Sequence, residues 1–186
     1  MKKTLNIVPE NPYIVFIALN PTKEAIQNNA VFSRDNSFWN LLIKAKIIKE
    51  SVLEVELISR ANDVFQQQKH SDFKLGFADL LPLITETDSK KVQIPDDAVC
   101  KLLKNTPHLK DTKRIALLGQ KVVDSFARAH KGLIKWQNIP IIEGKRQFGK
   151  IGKIYIEEKE IELFAMPFPV NNNIENKHKY YNSLIK

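Results

Sequence analysis

The chain has 186 residues, 43% of them hydrophobic and 27% charged, the composition of an ordinary globular domain, and that length can bury roughly 70% of the unfolded surface in one core. Its only cysteine, Cys100, excludes an intramolecular disulfide, a four-cysteine zinc site and an iron–sulfur cluster, and it fits a reducing compartment. No signal-like apolar run follows Met1 and nowhere do eighteen apolar residues occur in succession, so the expectation is one cytoplasmic, monomeric domain over 1–186 with no membrane partner.

Residues 13–19, Tyr-Ile-Val-Phe-Ile-Ala-Leu, form a continuously apolar run rich in β-branched residues, which predicts a strand buried on both faces. It stops at Asn20-Pro21. The stretch through Asp35 has no clear period and reads as a long loop. Asn36 then stands where a cap belongs, ahead of Phe38, Leu41, Leu42 and Ala45 at helical spacing. Further strands are predicted over 77–83 and 115–118, the latter followed by Gly119 and by a helix carrying Val122, Val123, Phe126 and Ala127. Residues 155–166 read as two strands around the charged turn Glu158-Lys159-Glu160. The tail from Ile174, with Tyr180, Tyr181, Leu184 and Ile185, reads as a closing helix. Buried strands alternating with helices predict a three-layer α/β/α domain around a mainly parallel sheet of about four strands. In such sheets ligands sit beyond the carboxyl ends of the strands, which directs attention to 20–36, to Asp79, to Gly119 and to 167–173.

Asn20 follows a buried strand directly, and Pro21 fixes the chain's exit, so the Asn20 amide stands on a rigid platform. Its oxygen can accept from a water and orient it while its NH2 donates elsewhere. Asn-Pro is also a common turn opener. Phe32 reads either as a loop-packing aromatic or as a flat surface for a base. The segment Pro167-Phe168-Pro169-Val170-Asn171-Asn172-Asn173 is stiff and then polar, which suits a protrusion entering a groove, or else a proline turn ending in a helix cap at Asn173.

Taken together, Ala18-Leu19-Asn20-Pro21, Phe32 and Asn36-Ser37-Phe38-Trp39-Asn40-Leu41-Leu42 resemble the first motif of the uracil-DNA glycosylase superfamily, particularly its mismatch-specific uracil and thymine glycosylase branch. Residues 75–80 resemble the family's next strand, 115–121 its third, and Met166-Pro167-Phe168-Pro169-Val170-Asn171 its second signature; the order is preserved over 13–186. The resemblance implies a monofunctional DNA glycosylase that flips a deaminated base, most readily uracil, out of the duplex and hydrolyses its N-glycosidic bond, leaving an abasic site for base-excision repair. Asn20 would orient the attacking water. Phe32 would stack on the flipped base, with Leu19, Pro21 and Asp79 lining its site. Pro167, Phe168, Pro169, Val170, Asn171 and Asn172 would enter the duplex as a wedge. No metal or other cofactor is implied.

Several positions depart from that pattern. Met166 stands where some relatives have a histidine, and a thioether cannot donate to a leaving-group oxygen. Phe168 replaces a serine, and Thr22 a glycine. Asp79 falls near the position where relatives read the base edge with asparagine or lysine; an ionised carboxylate accepts from an imide N–H but cannot donate to the neighbouring carbonyl unless it is protonated. Asp79 also reads as a surface or capping carboxylate. The changes keep two alternatives open, a catalytically inactive DNA-binding protein of the same fold and a small-molecule nucleoside hydrolase.

The net charge of +8 is concentrated. From Cys100 to Lys153 there are 13 Lys and Arg against Asp111, Asp124 and Glu143, a surplus of ten, whereas the remainder has 16 against 18. Clustered cations favour a polyanion partner, here DNA, and Lys145 and Arg146 in the glycine-spaced 144–153 segment are its candidate backbone contacts. A solvated lysine-rich face accounts for the same composition. His70, His108, His130 and His178 have no metal-ligand spacing.

Overall fold

The structure is a computed structural model and describes residues 5–129, 134–136, 141–142, 145–146, 148–169 and 174–186. Val170, Asn171 and Asn172, and the side chains of Lys145 and Arg146, lie outside the described residues. Among the described residues no helix is long and apolar enough to cross a membrane.

The apolar runs become strands. β1 (Ile14–Ala18) and β2 (Leu75–Asp79) are buried at every position, and β3 (Arg114–Leu118) follows the same rule beyond its first residue. β1 lies between β2 and β3, with β8 (Lys159–Met166) beside β3, and all three of these pairings are parallel. The expected count of about four strands describes this parallel part alone. β7 (Gly149–Ile156) joins β8 antiparallel, and the short β4 (Ile134–Trp136) pairs with β7, so the sheet order is β2-β1-β3-β8-β7-β4. A separate two-stranded ribbon pairs β5 (Ile141–Ile142) with β6 (Lys145–Arg146). The β7–β8 turn is made by Glu157 and Glu158, at φ 47° and 67°, one residue earlier than the charged turn expected.

Because side chains alternate along a strand, each buried strand feeds two apolar clusters. Ile14, Phe16, Ala18, Leu75, Phe77, Ala116, Leu118, Phe164 and Met166 enter the first, together with helix α2 (Ser37–Lys44) and Tyr181 of α5 (Ile174–Asn182). Val15, Ile17, Leu19, Ala78, Ile115, Leu117, Leu163 and Ala165 enter the second, with α3 (Ala98–Asn105) and α4 (Gln120–Ala129). The chain is therefore α/β with a mostly parallel sheet whose two sides are both covered.

Two local features differ from expectation. The segment after Pro21 contains a short helix, α1 (Lys23–Asn28), started by Thr22, whose hydroxyl accepts from the Ala25 N–H at 3.1 Å, and stopped by Asn29 in the left-handed region. Only Ala25 of this helix is buried, so it leaves no apolar period. Asn36 precedes α2 but does not cap it with its side chain. Asp35 does so instead, accepting from the Ser37 N–H at 2.8 Å, while Asn36 accepts from Arg60, a buried cation that also donates to the carbonyls of Leu53 and Val55.

The exit of β8 is held from α5. Tyr181 is fully buried, and its hydroxyl donates to the Pro167 carbonyl at 2.8 Å. Burial raises its pKa well above the usual phenol value, so it stays a donor. Deleting that hydroxyl leaves a buried carbonyl without its donor, at a cost of about 1–2 kcal/mol. Tyr181→Phe should therefore lower the urea midpoint by that equivalent with an unchanged m-value.

Candidate functional site

The parallel register of β1 and β2 sets Ala18 opposite Asp79. Both lie on the face of the first apolar cluster, and the alternation carries Asn20 to the same face two residues beyond Ala18. Together with Phe168 from the chain leaving β8, these residues line a cavity of about 170 Å³ at the carboxyl edge of the sheet. An apolar cavity of about 150 Å³ takes up benzene, so this one is sized for a single planar ring.

Asn20 is held by backbone. Its NH2 group donates to the carbonyls of Glu86 at 2.8 Å and of Ile84 and Pro21 at 3.2 Å each. Three acceptors on one side settle the amide orientation, because the oxygen cannot face carbonyls. The amide oxygen is left as the acceptor. The loop at 84–86 that supplies two of these acceptors leaves no signal in the sequence.

The aromatic wall is strained into place. Phe32 has φ 51°, a left-handed conformation costing on the order of 1–2 kcal/mol for a bulky residue. Trp39 offsets part of this by donating its indole N–H to the Phe32 carbonyl at 3.1 Å. The Phe32 ring stacks on Phe38 at 3.7 Å between centroids, 16° from parallel, and meets Phe77 edge-on at 5.4 Å. All three rings line the cavity. Phe38 and Phe77, read from the sequence as core positions, thus serve the site as well.

Asp79 is the buried polar member of this wall. Its backbone N–H donates to the Asn6 side chain at 2.9 Å, but the carboxyl atom Oδ2 is buried without a hydrogen-bond partner. With 1% of its surface exposed, the carboxyl group is pushed up to a pKa of about 7 by loss of hydration. It is neither a surface nor a capping carboxylate. The charged groups lining the cavity with it are Arg34 and Asp35 at the mouth, both exposed. The Ser37 side chain, aided by its backbone N–H, holds the Asp35 carboxyl below its usual range.

Of the residues expected at the site, Asn20, Pro21, Phe32, Asp79, Phe168 and Pro169 come together. Leu19 does not. Its side chain points to the opposite face of the sheet and packs in the second cluster, as period-two alternation requires when Asn20 faces the cavity. Pro167 is buried, with its carbonyl taken by Tyr181, so it offers no protruding surface, whereas Phe168 is 45% exposed. Met166 is fully buried in the first cluster and does not line the cavity. The Gly119 N–H is given to the Met166 carbonyl at 2.9 Å; Gly119 takes φ +88° there.

The basic segment is also rearranged in space. Lys101, Lys110, Arg114, Lys150 and Lys153 face Asp97, Glu157, Glu162, Glu162 and Glu160, all acids from outside the segment. Lys121 donates to the carbonyls of Ser89, Lys90 and Val92. Exposed pairs of this kind contribute little stability, but these offset part of the positive charge that the linear count suggests. No family model matches the chain, and no curated protein matches it.

Asp79 gives a signed pH effect. Its folded pKa of about 7 lies above the ordinary 3.8, so the folded chain holds the proton longer than the unfolded chain does. Ionisation of the site costs nothing below about pH 4. The cost grows as pH rises from about 4 to 7 and then levels off, at on the order of 4 kcal/mol. Asp79→Asn removes this ramp, so the stability difference between variant and wild type, measured by urea melts, should grow in favour of the variant across that window and be flat above it.

Proposed function

We propose that the chain is a monofunctional DNA glycosylase that hydrolyses the N-glycosidic bond of a deaminated base flipped out of DNA. The observation that carries this reading is the Asn20 amide, whose NH2 is committed to three carbonyls so that its oxygen is a fixed acceptor in a cavity of one-ring size. The motif order over 13–186 and a three-layer α/β/α arrangement, with helices on both sides of the sheet, support it.

The chemistry follows from what an amide can do. Asn20 is not a base, so it cannot generate hydroxide; it accepts one O–H of a water and aims the oxygen lone pair at the sugar carbon. Departure of the base therefore leads. The bond from C1′ to the base nitrogen breaks with its electron pair going to the base, the sugar becomes oxocarbenium-like, and the water oxygen closes on C1′ as its proton passes to solvent. A base seated in the cavity lies against the wall made by Phe32, Phe38 and Phe77, and the exposed Phe168 at the mouth is an apolar group able to enter the stack that the nucleotide leaves. Because Phe168 stands at the mouth and Met166 is in the core, neither fills the cavity.

The test uses labelled duplex and single-stranded oligonucleotides containing uracil, hypoxanthine, xanthine or a G·T mismatch, with alkali to reveal abasic sites. Asn20→Ala should lower the single-turnover rate at least 100-fold, as loss of a positioning group commonly does, while DNA affinity stays within about threefold. Absence of excision from every substrate, or wild-type rates in Asn20→Ala, overturns the assignment.

A further inference from the structure

A second cluster of polar groups lies outside the cavity, where the segment after α2 folds back on itself. Its members are Ser51, Asp63 and His70, none of which lines the Asn20 cavity. The His70 ring is bracketed, with Nδ1 2.9 Å from the Ser51 hydroxyl and Nε2 3.8 Å from Asp63 Oδ2. Ser51 stands on a short 3₁₀ turn, Glu50–Glu54, and is exposed, whereas the side chains of His70 and Asp63 are 17% and 18% exposed. Backbone contacts fix the ring between these partners. The His70 carbonyl accepts from the Lys49 N–H at 2.7 Å, the Lys69 N–H donates to the Asp63 carbonyl at 2.8 Å, and the Ser71 hydroxyl donates to the Ile47 carbonyl at 2.7 Å. His70 itself lies in the left-handed region at φ 60°, which costs free energy for a residue with a Cβ. Asp63 belongs to a single π-helical turn, Asn62–Gln66, a distortion frequent at functional sites.

We propose that Ser51 is a nucleophile that takes an acyl group from a neutral activated ester, with His70 as its general base and Asp63 as the residue that positions the imidazole.

The order of the three groups sets the direction of proton transfer. The negative charge of Asp63 favours the tautomer with its proton on Nε2, which leaves Nδ1 to accept the Ser51 O–H. At 3.8 Å the Asp63 contact acts through charge, being too long for a hydrogen bond. Lys69 lies at the same distance from that carboxyl oxygen, but its side chain is 55% exposed and its charge is screened by water. Nearby, Lys49 is paired with Asp72. As Oγ attacks the carbonyl carbon of an ester, a new O–C bond forms and the Oγ proton passes to Nδ1. The bond to the leaving oxygen then breaks with its electron pair going to that oxygen, and the Nδ1 proton passes to it or to water. The imidazolium formed in between is the state that Asp63 stabilises, as the acid of a serine hydrolase triad does. Across 49–54 and 63–72, Glu50, Glu54, Asp63 and Asp72 outnumber Lys49 and Lys69, which disfavours an anionic ester. Positioned proton transfer of this kind contributes roughly 10²–10⁴ in rate, which suits an ester with a good leaving group.

The experiment treats the whole chain with p-nitrophenyl acetate and follows the acetyl groups over time by peptide mass spectrometry, with the exposed Ser89 as the internal reference. In wild type Ser51 should acetylate about 100-fold faster than Ser89, or more. His70→Gly removes the ring, and glycine accepts the φ 60° backbone. In that variant Ser51 should fall to within about threefold of Ser89, and added imidazole should restore its rate relative to Ser89 at least tenfold. Asp63→Asn should slow Ser51 about tenfold with Ser89 unchanged, and nitrogen NMR should show the His70 ring moving from the Nε2–H form to a mixture of tautomers. Circular dichroism checks the fold of both variants. Ser51 acetylated no faster than Ser89 in wild type, or undiminished in His70→Gly, overturns the proposal. An unchanged Ser51 rate or an unchanged tautomer in Asp63→Asn overturns the role given to Asp63.

Discussion

The parallel pairing that sets Ala18 opposite Asp79 is the constraint on which the site depends. Two strands in register present residues of the same parity to the same side, so one slip of register would send Asp79 to the second cluster and leave Asn20 without it. Register is held by Phe16, Phe77, Val15 and Ala78, each buried on its own side. Beyond the last pair the strands diverge into loops that return to the site. The Leu80 and Leu81 N–H groups continue the pairing to the Ala18 and Leu19 carbonyls at 2.8 and 2.9 Å, and the next few residues provide the carbonyls that orient Asn20.

Around this frame the molecule holds several groups in conditions that are unfavourable by themselves. Phe32 lies in the left-handed region, Asp79 is dehydrated without a full set of partners, and Phe168 exposes an aromatic ring. All three belong to one cavity. Elsewhere the Thr106 hydroxyl is also buried without a partner, whereas Arg60 donates to three acceptors, Tyr181 to one, and Ser125 to the Lys121 carbonyl at 2.7 Å.

The electrostatics show why a linear count misleads. Glu157, Glu160 and Glu162 lie beyond the basic segment in sequence, but the β7–β8 hairpin and the β3–β8 pairing bring them onto its cations. Glu162 faces both Arg114 and Lys150, and Glu160 faces Lys153 and Tyr155. Strand pairing thus neutralises charges that are separated by up to about fifty positions along the chain.

Much of the frame was legible in the sequence because local chemistry dictates it. An unbroken β-branched run must be buried on both faces, Phe38, Leu41 and Leu42 share one helical stripe, and Asn20-Pro21 must end its strand. The same period of two excludes Leu19 from a site that contains Asn20, since neighbours along a strand point to opposite faces. The sequence did not reveal α1, whose single buried residue leaves no period, nor that β7 starts as early as Gly149 and pairs with β4. The raised pKa of Asp79 was equally out of reach, since it follows from burial, which depends on how separated segments pack. Only tertiary structure decided which carbonyls hold the Asn20 amide, that Met166 is core, and which acids face five of the basic segment's cations, because each is a contact between residues whose proximity follows from strand order and not from spacing.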